Sequence, residues 1–190
     1  WELSHSNNWV DETMIPLLSV IERNGIQVDR KKFIDRWPDN RKSLSFSHTF
    51  TEYNPYTITS RPSNRHLGIN YGALNKSDGS RDVFVPKKGK LFLQFDYDAY
   101  HVRIKKMQQE SVRNGYIQTP KGRKIPLGWI EKPNAQKFFN YILQATETEF
   151  NIEVMEKLRK LQLPLPILYT YDSFLFEFDE TEVDTIKKIK

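Results

Sequence analysis

The sequence predicts an α/β fold in which helices and strands share one hydrophobic core. Three patterns support this class: helical spacing of apolar residues in 11–24, an apolar strand pattern in 91–97, and a long amphipathic stretch from 133 to 160. With 190 residues and 38% hydrophobic content, the chain is long enough to bury one ordinary core. We therefore expect a single domain spanning 1–190.

The first third of the chain predicts a helix, a short strand and a second helix. Apolar residues recur at helical spacing in 11–24, and Asn24-Gly25 is a good helix stop. Pro16 predicts that this helix is kinked or begins near that residue. A short strand "IQV" and a helix starting at Asp29 follow, whereas the polar, turn-rich stretch 37–65 predicts strands and loops.

Two aspartates lie at the ends of apolar strands. In "LFLQFDY" (91–97), alternation places Leu91, Leu93 and Phe95 on one face and Phe92, Gln94 and Asp96 on the other. The later stretch "ILYTYDSFLFEF" predicts two apolar strands interrupted by Asp172-Ser173. If these strands lie side by side, the sheet presents Asp96 and Asp172 as a pair of carboxylates.

The remaining elements are helices and a hairpin. Residues 98–113 predict a helix, and 115–127 predict a hairpin that turns at Pro120 to Gly122. A long helix starts at about Pro133, and a last helix begins around Thr181, which has capping-box spacing to Asp184. The buried stripe of the long helix is expected to comprise Phe138, Tyr141, Ile142, Ala145, Ile152, Met155 and Leu158.

The positive charge of the chain is concentrated in one segment. The net charge is +5, whereas residues 103–124 carry seven Lys and Arg against the single acid Glu110, which gives 7 − 1 = +6. A one-sided basic segment is typical of a polyanion binder, and a solvated helix face is the other reading of the same pattern.

Composition also limits the cellular setting and the metal chemistry. There is no cysteine, so disulfides and thiolate sites are excluded and any metal is held by carboxylates, carbonyls or imidazoles. No apolar run has the length of a membrane span, and no export signal is visible. We expect a cytoplasmic protein without a membrane partner. Because the chain opens on Trp1 and stops within a helical pattern, we also expect a piece of a longer protein.

Asp96 and Asp172 are candidate metal ligands. Rigid strands that present paired carboxylates suit Mg²⁺, which takes one or two protein carboxylates and leaves its other positions to water and phosphate. Two ions held about 3.5 to 4 Å apart can align both oxygens of an in-line phosphoryl transfer. The alternative is that an Asp in a turn only accepts hydrogen bonds from backbone amides.

The two aspartate segments resemble conserved blocks of a known family. "FDYDAYHVRI" and "LYTYDSFLFEF" resemble motifs A and C of the family A (Pol I-like) DNA polymerases. Four further blocks occur in the family's order: "ERNGIQVDRKKF" (22–33), "TITSRPSN" (57–64), "NGYIQTPKGRKIPL" (114–127) and "NYILQATETEF" (140–150). The resemblance implies the polymerase palm, an α/β (α+β) fold with an antiparallel sheet of three or more strands backed by helices.

The resemblance also implies roles for individual residues. Asp96 and Asp172 would be the catalytic aspartates that hold two Mg²⁺ ions, or Mn²⁺, with the backbone carbonyl of Tyr97 as a further ligand.

Nucleic-acid contacts would come from Arg61, Lys121, Arg123, Asn140 and Gln144. His101 would occupy the sugar-gate position, and Arg103 would be the motif A arginine. From the residues alone, Arg61 could be an ordinary exposed arginine, and Asn140 with Gln144 a polar helix edge.

Several departures from the family pattern are informative. Motif A carries His101 where the family usually has Glu, and motif C reads Tyr171, Asp172, Ser173 in place of His-Asp-Glu. The fingers insertion is missing between about 104 and 114, and most of the thumb is missing between Phe33 and Tyr53. What remains is the palm, with a thumb base in 1–36, strands and loops in 37–90, and the catalytic core in 91–190. The resemblance also implies a phage-type protein.

The expected activity is DNA-directed DNA synthesis, with primer-template DNA and dNTP as partners and a monomeric protein in the cytoplasm, that of the host if phage-encoded. For this chain as written, weak or absent polymerisation is expected, because no fingers close over the nucleotide. Two alternatives stay open. One is a non-catalytic nucleic-acid-binding module that uses the basic segment 103–124, with Tyr116 and Trp129 as stacking surfaces. The other is a metal-dependent nuclease.

Overall fold

A computed structural model of the chain describes residues 8–96 and 115–186. The helices are α1 (Ile15–Asn24), α2 (Arg30–Arg36), α3 (Ala135–Lys160) and α4 (Val183–Ile186). The strands are β1 (Ile26–Gln27), β2 (His48–Thr49), β3 (Tyr53–Asn54), β4 (Ser63–His66), β5 (Ile69–Asn70), β6 (Lys90–Asp96), β7 (Tyr116–Gln118), β8 (Lys124–Pro126), β9 (Leu168–Thr170) and β10 (Ser173–Asp179). Short 3₁₀ helices cover Pro38–Ser43, Tyr71–Ala73, Leu127–Trp129 and Glu180–Glu182. The predicted helix at 98–113 lies outside the described residues.

The first helix follows the sequence pattern but is built in two parts. A π-helical turn at Val10–Met14 runs directly into α1, and Pro16 lies in the first turn of α1. Since proline has no N–H to donate, an irregular turn before it is the expected result. The helix ends at Gly25, whose φ is +63° and where an added Cβ would lie 2.8 Å from the Phe50 ring. Glycine is therefore required there on both counts.

The central sheet has three antiparallel strands in the order β6-β10-β9. Strand β10 pairs with β6 along seven residues, from Asp179 opposite Lys90 to Ser173 opposite Asp96. Strands β9 and β10 form a hairpin in which Thr170 pairs with Ser173, so the loop between them has only two residues. The predicted antiparallel sheet carrying both aspartates is confirmed.

The two faces of this sheet have different neighbours. One face packs on α1 and α3, and its cluster contains Met14, Leu17, Leu18, Ile21, Tyr53, Ile152, Met155, Tyr169, Phe174 and Phe176, all buried. The other face carries Phe92, Gln94, Asp96 and Ser173 and lines a cavity. Because side chains alternate along a strand, the apolar face fixes which side of the sheet presents Asp96.

A hairpin and the first half of α3 form a second cluster. Strands β7 and β8 pair from Tyr116–Pro126 to Gln118–Lys124, as predicted for the "GYIQTPKGRKIPL" segment. Their apolar side chains pack on α3 in a cluster of Ile117, Ile125, Ile130, Phe138, Ile142, Leu143 and Ala145. The helix begins slightly later than predicted, because the Asn134 side chain caps it by accepting the Lys137 backbone N–H at 2.9 Å.

The remaining small strands surround a third cluster. Strand β1 pairs with β2, and β3, β4 and β5 form a meander, so the turn-rich stretch 37–65 contains short strands and loops as predicted. The buried members of this cluster are Ile26, Val28, Phe33, Ile69, Tyr71 and Val83. Helix α2 begins after Asp29, which accepts the Lys32 N–H at 3.1 Å. These elements form the wall that faces the sheet across the cavity.

The predicted start of the last helix was displaced. The capping box joins Asp179 and Glu182, and not Thr181 and Asp184 as the spacing suggested. The Asp179 backbone N–H donates to the Glu182 carboxylate at 3.1 Å. Since Asp179 is also the last residue of β10, the strand passes directly into the cap and a 3₁₀ turn precedes α4.

Among the residues that the structure describes, no helix combines the length and the apolar character needed to cross a bilayer.

Burial of tyrosines predicts a loss of stability at alkaline pH. Burial raises the pKa of Tyr169 to about 12, and burial, partly offset by a hydrogen bond with Thr49, raises the pKa of Tyr71 to about 12. Each folded-state pKa lies above the unfolded value near 10. The stability that a buried neutral tyrosine contributes is therefore complete below pH 10 and is lost as the pH rises through 12. The steepest loss is about 1.4 kcal/mol per pH unit for each tyrosine.

We predict that Tyr71→Phe removes one of these contributions. The free energy of unfolding should decline less steeply in the variant than in the wild type between pH 10 and 12, as measured by urea denaturation at each pH. The control is the difference in free energy of unfolding between the two proteins at pH 8. At that pH it reports only the loss of the hydrogen bond between the Thr49 and Tyr71 hydroxyls, which is 2.7 Å long. Parallel curves for the two proteins across this range would contradict the prediction.

Candidate active site

Asp96 and Asp172 reach one cleft from neighbouring strands. Asp96 is the last residue of β6, and Asp172 is the second residue of the β9–β10 loop, next to Ser173, which pairs with Asp96. Both aspartates are exposed and both line a cavity of about 300 Å³. Within the described residues, no hydrogen bond or ion pair engages either carboxylate. Asp172 therefore does not serve the backbone amides of its own turn, which was the alternative from sequence.

The cavity has an acidic end and a basic side. Across from the sheet its wall is formed by Tyr71, Gly72, Leu74, Lys76, Arg81 and Phe84. Arg81 donates from Nε and Nη2 to the Leu74 carbonyl, both at 3.2 Å, and this fixes its position at the rim. Lys76 is exposed on the same wall. Sequence reasoning missed these two cations because they lie in an irregular stretch with no period to place them.

The donor set fits a hard divalent cation. Asp96 and Asp172 offer carboxylate oxygens to an open cavity, and Mg²⁺ needs only one or two such protein ligands. Within 8–96 and 115–186 there is no group of three or more His, Asp or Glu side chains that could form a complete metal cage. A site of this kind leaves coordination positions for water and phosphate. Tyr97, the further ligand implied by resemblance, lies outside the described residues, as do His101 and Arg103.

The loop that carries Asp172 is held at the preceding residue. Tyr171 has a φ of +53°, a left-handed conformation that costs a non-glycine residue about 1 kcal/mol or more. The Asn151 amide donates to the Tyr171 carbonyl at 2.9 Å and to the Tyr169 hydroxyl at 3.2 Å. The Tyr171 ring lies against Gly72. A Cβ added to Gly72 would be only 2.7 Å from Cε2 of Tyr171.

Arg61 covers the same tyrosine ring. Its guanidinium carbon lies 4.3 Å from the centroid of the Tyr171 ring, and Nη2 is 3.9 Å from Oε2 of Glu147. The Arg61 side chain is 22% exposed. The loop that bears it is closed by the Thr57 hydroxyl, which donates to the Arg61 carbonyl at 3.0 Å. The structure thus places Arg61 beside the Asp172 loop, while its contact with DNA stays a prediction.

One face of α3 runs along this region. Asn140, Gln144, Glu147 and Asn151 follow one another at spacings of four, three and four residues, which places them on one stripe. The Thr59 hydroxyl donates to Gln144 Oε1 at 3.4 Å, and Asn140 accepts from Gln136 at 3.1 Å. The stripe therefore brings Gln144, Arg61 and the Asp172 loop together, with Asn140 one helical turn away.

Arg123 is committed to internal partners. Its Nε donates to Glu149 Oε1 at 2.7 Å, Nη1 donates to the Ser60 hydroxyl at 2.8 Å, and Nη2 donates to the Thr59 carbonyl at 2.8 Å. The side chains of Arg123 and Glu149 are only 11% and 6% exposed. Arg123 therefore ties the β7–β8 hairpin, α3 and the Thr59–Arg61 loop together. Direct contact of Arg123 with DNA stays a prediction.

Lys121 lies further along α3 than the other predicted contacts. Its ammonium pairs with Glu153 and lies 4.5 Å from the centroid of the Phe150 ring. Hydrogen bonds from Lys121 and then Lys157 lower the pKa of the Glu153 carboxyl. This pair is at the surface, in contrast to the Arg123–Glu149 pair.

Sequence reasoning missed Glu149, Asn151 and Gly72. A signal existed for Glu149, since residues 142, 145, 149 and 152 follow the buried helical stripe and a charge on that stripe indicates a buried ion pair. A signal also existed for Asn151, because it directly precedes Ile152 of the buried stripe. Gly72 carried no signal, because the residue that packs on it is 99 positions away.

Comparison with known proteins gives a likeness in fold. No family model and no curated protein matches the sequence. The structure is similar to a solved structure described as "POL domain of Pol1 from M. smegmatis complex with DNA primer-template and dNTP", with a TM-score of 0.63 and 14% identity. The match covers 84% of this chain and 46% of that chain, so this chain spans about half of that polymerase domain. The mixed α/β fold with antiparallel sheets is therefore similar to part of that polymerase domain.

The buried ion pair yields a stability prediction. Arg123→Met should lower the free energy of unfolding by about 3 kcal/mol, because Glu149 is then left buried without a countercharge. Replacing both residues, as Arg123→Met with Glu149→Leu, should recover more than half of this loss. Urea denaturation at pH 7 measures both values.

Lys121→Met is the matched control for this experiment, since it breaks a lysine–glutamate pair that water already screens. Its effect should be much smaller than that of Arg123→Met. Equal effects of the two substitutions would show that burial of the Arg123–Glu149 pair is not what determines its contribution.

Proposed function

We propose that this chain is the palm of a DNA-directed DNA polymerase of the family A type, without fingers and with most of the thumb absent. The observation that carries the proposal is the convergence of Asp96 and Asp172 on one cleft from adjacent antiparallel strands. The motifs that bear these residues, and the likeness in fold to a polymerase domain, support the same reading. The parent protein is proposed to be phage-type, monomeric and cytoplasmic.

The proposed reaction transfers a nucleotide to a primer. The oxygen of the primer 3′ hydroxyl forms a bond to the α-phosphorus of a dNTP, the bond from that phosphorus to pyrophosphate breaks, and the hydroxyl proton passes to water. Asp96 and Asp172 would hold two Mg²⁺ ions, or Mn²⁺, which when bound neutralise the developing charge and lower the pKa of the hydroxyl. The strand end and the two-residue loop would hold both carboxylates in place, so that little reorganisation is needed.

The duplex is proposed to lie along the polar stripe of α3. Arg61 would contact the primer-template beside the Asp172 loop, and Gln144 with Asn140 would face the primer end and the minor groove. Lys121 would add positive charge at the edge of this surface. The internal hydrogen bonds of Arg123 suggest that it supports this surface by holding the Thr59–Arg61 loop in place.

The binding-module alternative rests on exposed aromatic rings. Trp129 is 48% exposed and is open to stacking. The Tyr116 ring is less suitable, since the ammonium of Lys124 lies 4.7 Å from its centroid. This alternative and the nuclease are distinguished by the experiment that tests the polymerase.

A primer-extension assay with Mg²⁺ tests the proposal. The full chain in excess over a labelled primer-template should lengthen the primer slowly, and Asp96→Asn and Asp172→Asn should each reduce the rate by on the order of 10²-fold or more, because the charge that aligns the reacting groups is lost. Asp35→Asn, the same substitution at an exposed position of α2, should leave the rate unchanged.

The other outcomes have distinct signatures. Shortening of the primer that depends on the two aspartates would indicate the nuclease. Binding that weakens with salt and is the same in the wild type and both aspartate variants, without any change in primer length, would indicate the binding module.

A further inference from the structure

Tyr171 connects the Asp172 loop to other segments of the fold, while the Thr170 and Ser173 hydroxyls bond to each other across the ends of the loop. The loop has two residues, so the backbone of Tyr171 directly precedes that of Asp172. Its carbonyl accepts a hydrogen bond from Asn151, which is 1% exposed, at 2.9 Å. Because a buried amide in the middle of α3 cannot follow a moving loop, this bond fixes one end of the peptide that leads into Asp172.

The Tyr171 side chain is fixed as well. One side of the ring rests on Gly72, where an ideal Cβ would be 2.7 Å from Cε2, 2.9 Å from Cζ and 3.1 Å from the hydroxyl oxygen. The Arg61 guanidinium lies over the ring at 4.3 Å, a contact of the cation–π type. Gly72, Tyr171 and Asp172 line the same cavity. The ring is therefore held by groups from two other segments of the chain.

The backbone conformation makes these contacts necessary. A left-handed tyrosine at φ +53° is less stable than the extended alternative, and such a conformation persists only where the surroundings fix it. Relaxation of Tyr171 would rotate the next peptide and reorient Asp172 relative to the cavity that Asp96 also lines. The contacts of Asn151, Gly72 and Arg61 oppose this relaxation.

We propose that Tyr171 is a positioning residue for Asp172, with its ring seated in the space left by Gly72 and its carbonyl held by Asn151. The inference rests on the proposed function, in which Asp172 is a metal ligand. It adds a structural requirement: the segment at Gly72, 100 positions before Asp172, must lack a side chain for the carboxylate to face the cleft.

Two glycines provide a matched test. Gly72 and Gly128 are each the central residue of a three-residue 3₁₀ helix and neither has a positive φ, but a Cβ on Gly128 would meet nothing within 4 Å. Gly72→Ala should displace the Tyr171 ring without creating a cavity, and Gly128→Ala should not. Both variants are expected to fold, as checked by circular dichroism.

The first readout is independent of metal and of activity. Hydrogen exchange followed by mass spectrometry should show at least about twofold faster deuterium uptake in a peptide covering 170–174 in Gly72→Ala, since loosened loops open more often. Uptake in 175–179 should be unchanged, and Gly128→Ala should behave as the wild type throughout. Unchanged uptake at 170–174 in Gly72→Ala would overturn the proposal.

The second readout is the affinity for Mn²⁺, measured by electron paramagnetic resonance, with Asp172→Asn as the background. Gly72→Ala should weaken the Asp172-dependent site by about tenfold, the effect expected when a group that orients a ligand is lost. Asn151→Leu should do the same. Asn64→Leu is its control, since Asn64 is equally buried and reaches the Tyr169 carbonyl but not the loop.

The outcomes separate this inference from the proposed function. Equal Mn²⁺ affinity in Gly72→Ala and Gly128→Ala, with a clear Asp172-dependent site in both, would overturn the positioning role alone. If the wild type binds no more Mn²⁺ than Asp172→Asn does, the metal site of the proposed function fails. Faster exchange at 170–174 in Gly72→Ala would then still support the seating of Tyr171 on Gly72.

Discussion

The pairing register of β10 with β6 is the constraint on which the site depends. Seven residue pairs, from Lys90–Asp179 to Asp96–Ser173, place the end of one strand beside the loop that starts the other. A shift of one residue would move Asp96 to the face that packs on α1 and α3. The register is secured by Phe174 and Phe176, whose rings are buried on that apolar face. Packing in the core thus determines where the carboxylates lie.

Strand β9 is the outer strand of the β9–β10 hairpin, and side chains bond to its outer edge where a fourth strand would otherwise pair. The Tyr53 hydroxyl donates to the Tyr169 carbonyl and accepts the Tyr169 N–H, both at 2.9 Å. One hydroxyl therefore satisfies both backbone groups that β9 directs away from β10, and an unsatisfied buried group would cost about 1 to 3 kcal/mol. Asn151 then holds the loop itself. Buried polar groups thus fix both the strand and the loop that lead to Asp172.

The sequence predicted the parts of this arrangement that depend on local pattern. Alternation in 91–96 indicates which side chains of that strand share a face, although Leu91 and Phe95 stay exposed on it. The apolar run broken at Asp172 and the stripe of α3 indicate which faces are buried, so the strands, the helix and the pair of aspartates followed from these patterns. The packing of the Tyr171 ring on Gly72 and the hydrogen bonds of Arg123 to Ser60 and Thr59 were not predicted. These contacts join residues that are far apart in the chain. The cap at Asp179 was also missed, because Asp179–Glu182 and Thr181–Asp184 both have the spacing of a capping box and the sequence does not choose between them.

The two arginines singled out by resemblance differ in how much of their charge is already used. Arg123 has a carboxylate at 2.7 Å and three further acceptors around a side chain that is 11% exposed. Among the described residues Arg61 has one carboxylate at 3.9 Å and a ring face, and it is twice as exposed. A phosphate approaching Arg123 would have to displace strong internal bonds, whereas at Arg61 it would replace a long ion pair. Of the two arginines, Arg61 is therefore the one whose charge is less used by internal partners, whereas Arg123 is held by Glu149, Ser60 and Thr59.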